Sequence, residues 1–166
     1  MNYIRPVSTT GMATQFDDFD HEAHMREAFA LAREAAERGD NPFGSVLVRD
    51  DEVVMRESNR TVTEEDIRWH PELHLAYRAC RDIEPELREE TVMYTSTEPC
   101  PMCATGMKQA GFSHVVYSTS SEDIGELMGE EPIVRSGDLL EGISEVVGPV
   151  SNEEGMAIHR EYEWWE

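Results

Sequence analysis

Two short clusters of metal-binding side chains constrain this chain more than any other feature. They are His70-Pro71-Glu72 and, twenty-seven residues after Glu72, Pro99-Cys100-Pro101-Met102-Cys103. Any fold in which His70, Cys100 and Cys103 share one zinc ion must bring both clusters to one point, which their spacing alone does not show. A structural zinc site closes its tetrahedron with four protein ligands, whereas three ligands leave a corner for a water that the metal can acidify near neutral pH. The pattern therefore reads as catalytic. Glu72 lies two residues from a ligand and is better placed to shuttle protons than to bind the metal.

Both clusters carry the marks of a helix start. Pro71 and Pro101 each follow a ligand, and proline suits the first helical position because its missing N–H would be unpaired there. His70 and Cys100 then take the cap positions. The partial positive charge of a helix N-terminus favours thiolates at Cys100 and Cys103 and a carboxylate at Glu72.

The order H-x-E followed by P-C-x-x-C is the signature of zinc-dependent nucleobase deaminases. The match extends to Asn41-Pro42-Phe43-Gly44-Ser45-Val46-Leu47-Val48, to Asn59 eleven residues before His70, and to Tyr94-Thr95-Ser96-Thr97-Glu98 leading into the cysteines. Over roughly residues 20–131 the chain resembles the cytidine-deaminase-like superfamily, within it most closely guanine deaminases and tRNA adenosine deaminases. One departure is the family's His-Ala-Glu, written His-Pro-Glu here. Because proline fits that helical position, the metal site is expected to survive the change.

The resemblance implies a three-layer α/β/α sandwich around a mixed five-stranded sheet, in which the two ligand helices lie side by side. It implies one zinc per chain. It also implies that Asn59 binds the base and that a second acid, best aligned with Glu131 and next best with Glu130, contacts the substrate and helps move protons. Guanine deaminases close the active site with their C-terminal segment, in some members across a swapped dimer. Tyr162, Trp164 and Trp165 are the corresponding aromatic tail, Trp165 is carried as a substrate contact, and a homodimer is expected. Phe43 reads as either pocket wall or core, and the wall is preferred.

With 166 residues the chain is expected to be one domain, 1–166, with an irregular arm over 1–16 and a C-terminal helix and tail over 151–166. Two of three cysteines belong to the metal and Cys80 has no evident partner, which points to a reducing cytosol. No secretory or membrane-spanning segment is read. Thirty-five acidic residues against fourteen basic give a net charge of −21, and Lys108 is the only lysine. Such a surface resembles that of proteins from salt-accumulating halophiles, where a short Debye length screens self-repulsion.

Periodicity gives alternating elements. Helix is predicted from about Asp20 to Arg38, a hairpin from Ser45–Arg49 and Glu52–Glu57, and helix from Pro71 to about Ile83 with Leu73, Ala76, Tyr77 and Cys80 on its apolar side. A strand at Thr91–Thr95 feeds a helix over 101–110. Then come a strand at His114–Ser118, a short helix at Glu122–Met128 and a strand at Ile143–Val147. Ser151-Asn152-Glu153-Glu154 has capping-box spacing and opens the last helix. His74, one turn after His70, is not expected to ligate; His21, His24, His114 and His159 read as surface or packing residues, and Cys80 as a buried, inert thiol.

These readings converge on hydrolytic deamination of a heteroaromatic ring, with Glu72 as proton carrier and guanine, converted to xanthine and ammonia, as the leading substrate. Cytosine or another aminated ring, or adenosine in tRNA, are alternatives. The tRNA reading needs a basic surface that an acidic, lysine-poor chain does not offer, so nucleic acid is not an expected partner. From another class, Cys100 and Cys103 could form a redox pair or a metal-storage site, which leaves His70 and Glu72 unexplained.

Overall fold

Asp50 and Asp51 both take positive φ, 51° and 58°, and this tight turn folds β1 (Gly44–Arg49) back on β2 (Glu52–Ser58). The computed structural model describes residues 14–132, 134–162 and 164. Around that hairpin the sheet runs in the order β2-β1-β3-β4-β5, where β3 is Thr91–Thr97, β4 is His114–Thr119 and β5 is Glu145–Val147. β1 is antiparallel to β2 and β3, while β3, β4 and β5 run parallel, so the sheet is mixed.

Alternation along the strands builds two cores. Val46, Val48, Val92, Tyr94 and Val116 point to one face, where they meet Met25, Ala28, Phe29 and Ala32 of α1 (His21–Arg38) and Ile158 of α7 (Asn152–Glu161). Leu47, Met93 and Val115 point to the other. There they meet Leu75, Ala76 and Ala79 of α2 (Pro71–Asp82) and Cys103, Ala104, Met107 and Ala110 of α4 (Pro101–Ala110). Central strands buried on both faces explain the near-continuous apolar runs in the sequence. α1 sits so close to β1 that a Cβ at Gly44 would collide with the Ala28 carbonyl, which accounts for the glycine after Phe43. The expected α/β/α sandwich is thus the architecture. Short helices α3 (Pro85–Arg88), α5 (Ser121–Met128) and α6 (Ser136–Leu139) complete it.

Several expectations need correction. α2 carries two adjacent apolar stripes, and the one turned inward is Glu72, Leu75, Ala76 and Ala79; Tyr77 is 58 % exposed and Cys80 is exposed. Ala76 is buried and Leu73 packs against the core as read, but with Glu72 aimed at the site Tyr77 and Cys80 fall on the outer face. Cys80 is therefore not a buried thiol. Ser151 does not cap α7: its φ of 51° is left-handed, whereas a capping side chain needs an extended backbone to reach the next turn. The capping box is instead at Ser120 and Asp123, opening α5 one residue earlier than expected. β5 begins at Glu145, two residues later than read, with Ile143 exposed. Of the 1–16 arm, residues 1–13 lie outside the described residues, while Phe16 opens a 3₁₀ turn, Phe16–Asp18, and stacks on His114 at 3.8 Å. α3, α6 and a second 3₁₀ turn at Ile67–Trp69 were not expected.

Candidate metal centre and active site

Pro71 and Pro101 occupy the first turns of α2 and α4, His70 and Cys100 are the N-caps, and the two helices pack side by side. This parallel start brings His70 Nδ1 to 3.4 Å from Cys103 Sγ and 3.8 Å from Cys100 Sγ. Ligands about 2.0–2.3 Å from a tetrahedral zinc stand about 3.3–3.8 Å from one another, so the donor set and its spacing fit zinc. Among the described residues these three form the one such group of potential ligands. His74 is not part of it; it stacks on Trp69 at 4.0 Å, with Nε2 toward Glu57.

The thiols are electrostatically unequal. Cys100 is held down to about 4 by the hydrogen bond from Cys103 and by His70, despite burial. Cys103 is pushed up by that same bond and by burial. His70 is raised by its hydrogen bond with Cys100. Binding a metal displaces such protons, which couples its affinity to pH.

Glu72 is buried, with Oε1 accepting from Thr95 Oγ1 at 3.2 Å and Oε2 facing Cys103 Sγ at 3.8 Å. Burial, then the charge on Cys100, pushes its carboxyl up to about 7. A carboxyl near neutrality can both take and return a proton. Thr95, which sequence reading did not single out, also accepts from Ser45 Oγ at 2.8 Å and so anchors Glu72 to β1. A run of hydroxyl residues, Thr95-Ser96-Thr97, on a wholly buried strand was the available signal.

A cavity of about 340 Å³ opens beside these groups, within the range of small-molecule sites. His70, Glu72, Cys100 and Phe43 are among the residues that line it, with the stretch of Glu130 and Glu131 as its acidic wall. Phe43 is thus a wall residue, backed by His159 and Trp164 with ring centroids 5.9 Å away. Trp164 donates Nε1–H to the His159 carbonyl, so this part of the tail packs on its own domain; Trp165 lies outside the described residues.

Asn59 is fully buried but does not line the cavity. Its Oδ1 accepts from Thr61 N–H at 3.0 Å and Thr61 Oγ1 at 2.8 Å, while Nδ2 has no partner among the described residues. Asp40 holds the loop that follows: fully buried, it accepts from Val62 N–H, Thr63 N–H, Thr63 Oγ1 and Arg38. Burial pushes its carboxyl up, but these donors outweigh that and hold it below the ordinary range.

Sequence reasoning gave no role in the site to two further side chains, His159, which packs behind Phe43, and Glu98, which lines the cavity. His159 is buried, with Nε2 3.0 Å from Thr97 Oγ1 and Nδ1 without a partner among the described residues. Glu98 is a buried carboxylate that accepts from Ser121, Arg135 and Ser136. A carboxylate placed directly before the ligand segment was its signal.

Known proteins resemble this chain in sequence and fold. The chain is 33 % identical over 150 residues to a probable cytosine deaminase of Schizosaccharomyces pombe, covering 83 % of this chain and 89 % of that protein. It is 32 % identical over 108 residues to the guanine deaminase of Bacillus subtilis, covering 64 % and 69 %. The solved guanine deaminase of Nitrosomonas europaea superposes with a TM-score of 0.72 at 22 % identity, covering 85 % of this chain and 83 % of the other, which supports the fold. The MafB19-like deaminase pattern matches residues 19–156, and the chain belongs to that family, within the cytidine-deaminase-like superfamily of deaminases.

Proposed function

We propose that this protein is a zinc-dependent nucleobase deaminase that converts guanine to xanthine and ammonia. The observation that carries the reading is the cavity itself. Its lining brings the potential metal ligands His70 and Cys100 and the buried carboxyl of Glu72 together with two further glutamates, Glu130 and Glu131. His70, Cys100 and Cys103 would hold the zinc, which would supply Lewis acidity and an activated water at neutral pH. Glu72 would carry the protons: its buried carboxyl would take one from the attacking water, deliver one to the ring nitrogen and help protonate the amine that leaves as ammonia. Thr95 keeps Glu72 aimed, and Phe43 supplies an apolar face for a flat ring. Glu131, or its neighbour Glu130, meets the substrate's N–H groups and assists the proton transfers; Asn59, which lies outside the cavity lining, is assigned the opposite edge on the family resemblance and on its unpartnered Nδ2.

Cytosine is the second reading, favoured by the Schizosaccharomyces relative, which the chain covers almost end to end. Transfer RNA is disfavoured by a net charge of −21 and a single lysine. A cytosolic homodimer completes the reading. The metal-binding thiols need a reducing compartment, and Ile67 and Tyr77 offer an exposed apolar surface beside α2. Among the described residues no helix is long and apolar enough to cross a membrane. Ammonia release from guanine, cytosine, adenine and their nucleosides, at moderate and molar salt, tests the proposal. Turnover of guanine above the others is expected, and release from cytosine alone replaces the purine reading with the pyrimidine one.

A further inference from the structure

The acidic wall of the cavity is carried by an excursion from Ser121 to Ser136 that leaves the sheet after β4 and returns before β5. Both of its ends are tied to one side chain. Glu98 Oε2 accepts from Ser121 N–H and Ser121 Oγ, each at 2.8 Å. Glu98 Oε1 accepts from Ser136 N–H at 3.2 Å and Ser136 Oγ at 2.9 Å, and Arg135 Nε bridges both oxygens at 3.0 Å. Arg135 also reaches Glu122 at 2.6 Å, locking the exit of the excursion to its entry. The middle is pinned independently. Glu130 N–H donates to the Gly125 carbonyl at 2.7 Å, and a Cβ at Gly125 would run into the Glu130 carbonyl oxygen. Glu98 itself is two residues from the ligand Cys100, and its carboxylate is 2 % exposed.

We propose that Glu98 is a positioning residue. Its carboxylate fixes both ends of the segment that carries Glu130 and Glu131 to the ligand loop, and with the Gly125–Glu130 contact it sets where these two carboxylates stand relative to the metal ligands. This rests on the reading that the wall meets the substrate. A buried carboxylate with donors on every side has no slack, and a displacement of about an ångström at a reacting group is enough to cost a large factor in rate. The effect is expected on turnover, since the partners of this carboxylate, Ser121, Arg135 and Ser136, lie at the ends of the excursion and none lies on a strand or on α2 or α4.

The test is a double-mutant cycle on the zinc-loaded full chain with guanine as substrate. In Glu98→Gln the amide presents N–H to donors in either orientation, and the ends of the excursion separate. Gly125→Ala displaces the same wall from the opposite side, in a helix where alanine is otherwise favoured, and decides the question if Glu98→Gln does not fold. Each variant is expected to keep one zinc per chain and to lose about tenfold or more in kcat/KM. In a background of Glu131→Gln plus Glu130→Gln neither is expected to cost more than about twofold, because the group they position is already gone. Additive losses, losses that track zinc content, or full activity in both variants would overturn the proposal. If the Glu130→Gln, Glu131→Gln background itself keeps full activity, the reading of the wall fails and the clamp's catalytic role with it.

Discussion

Acidification should unfold this protein partly through one histidine. His159 is 1 % exposed, packed among Phe43 and Trp164, and burial pushes its pKa down to about 4. In the unfolded chain an ordinary histidine titrates near 6.5. The folded value lies below the unfolded one, so between those two pH values the unfolded chain binds a proton that the folded chain refuses. The stabilisation is complete above about 6.5, is lost as pH falls toward 4, and does not change further below that. At about 1.4 kcal/mol per pH unit, linkage gives a loss of about 2 kcal/mol between pH 7 and pH 5. Many carboxylates titrate in the same range, so the measurement is a difference. Urea midpoints are compared at pH 7, 6 and 5 for the native chain and for His159→Gln, which retains a partner for Thr97 but cannot ionise. Zinc loss at low pH affects both proteins alike and cancels. The native chain should lose about 2 kcal/mol more than the variant over this interval. An offset between the two that does not vary with pH would refute the reasoning, because it would mean that His159 is charged in the folded state or does not titrate.

Three further outcomes are expected. Glu72→Ala should retain zinc and lose turnover by about two to four orders of magnitude, checked by metal analysis alongside steady-state kinetics; near-normal activity sinks the proton-carrier role. The melting temperature should rise between dilute buffer and molar KCl, since screening relieves the repulsion of −21 charges, and an unchanged midpoint counts against a salt-adapted surface. Asn59→Ala should raise KM for guanine more than it lowers kcat, with metal content unchanged; an unaltered KM removes Asn59 from recognition.

Much of the fold was legible because its signals are local. α1 shows its helical spacing from Met25 to Ala35, β1 and β2 flank an Asp-Asp turn, and Pro101 announces α4 at the residue where it begins. The failures share one cause, which is that tertiary context overrules a local pattern. Tyr77 and Cys80 form a plausible apolar stripe, yet with Glu72 aimed inward they fall on the outer face of α2. Ser151 has the right neighbours for a cap and the wrong backbone. The ligands and Glu72 could be named from motif and resemblance, but the 3.4 Å approach of His70 to Cys103 is a product of packing. Glu98 and His159 were invisible as functional neighbours because their partners lie 23 to 62 residues away in the chain.

The grip of Thr61 on Asn59 makes that side chain a reader of one sign. An asparagine amide is ordinarily ambivalent, since half a turn exchanges its carbonyl for its NH2. Here the turn is blocked, because it would set the NH2 against the Thr61 N–H, a donor that cannot reverse. In the proposed recognition of the base Asn59 therefore has only N–H to offer. On that proposal a ring edge carrying a carbonyl oxygen or an unprotonated nitrogen would be answered, whereas one carrying an amine would set a donor against a donor, with both left unpaired in a buried place. Discrimination of this kind comes from the backbone of a neighbouring turn and not from the shape of the cavity. It should therefore persist even where side chains around the cavity are enlarged or trimmed.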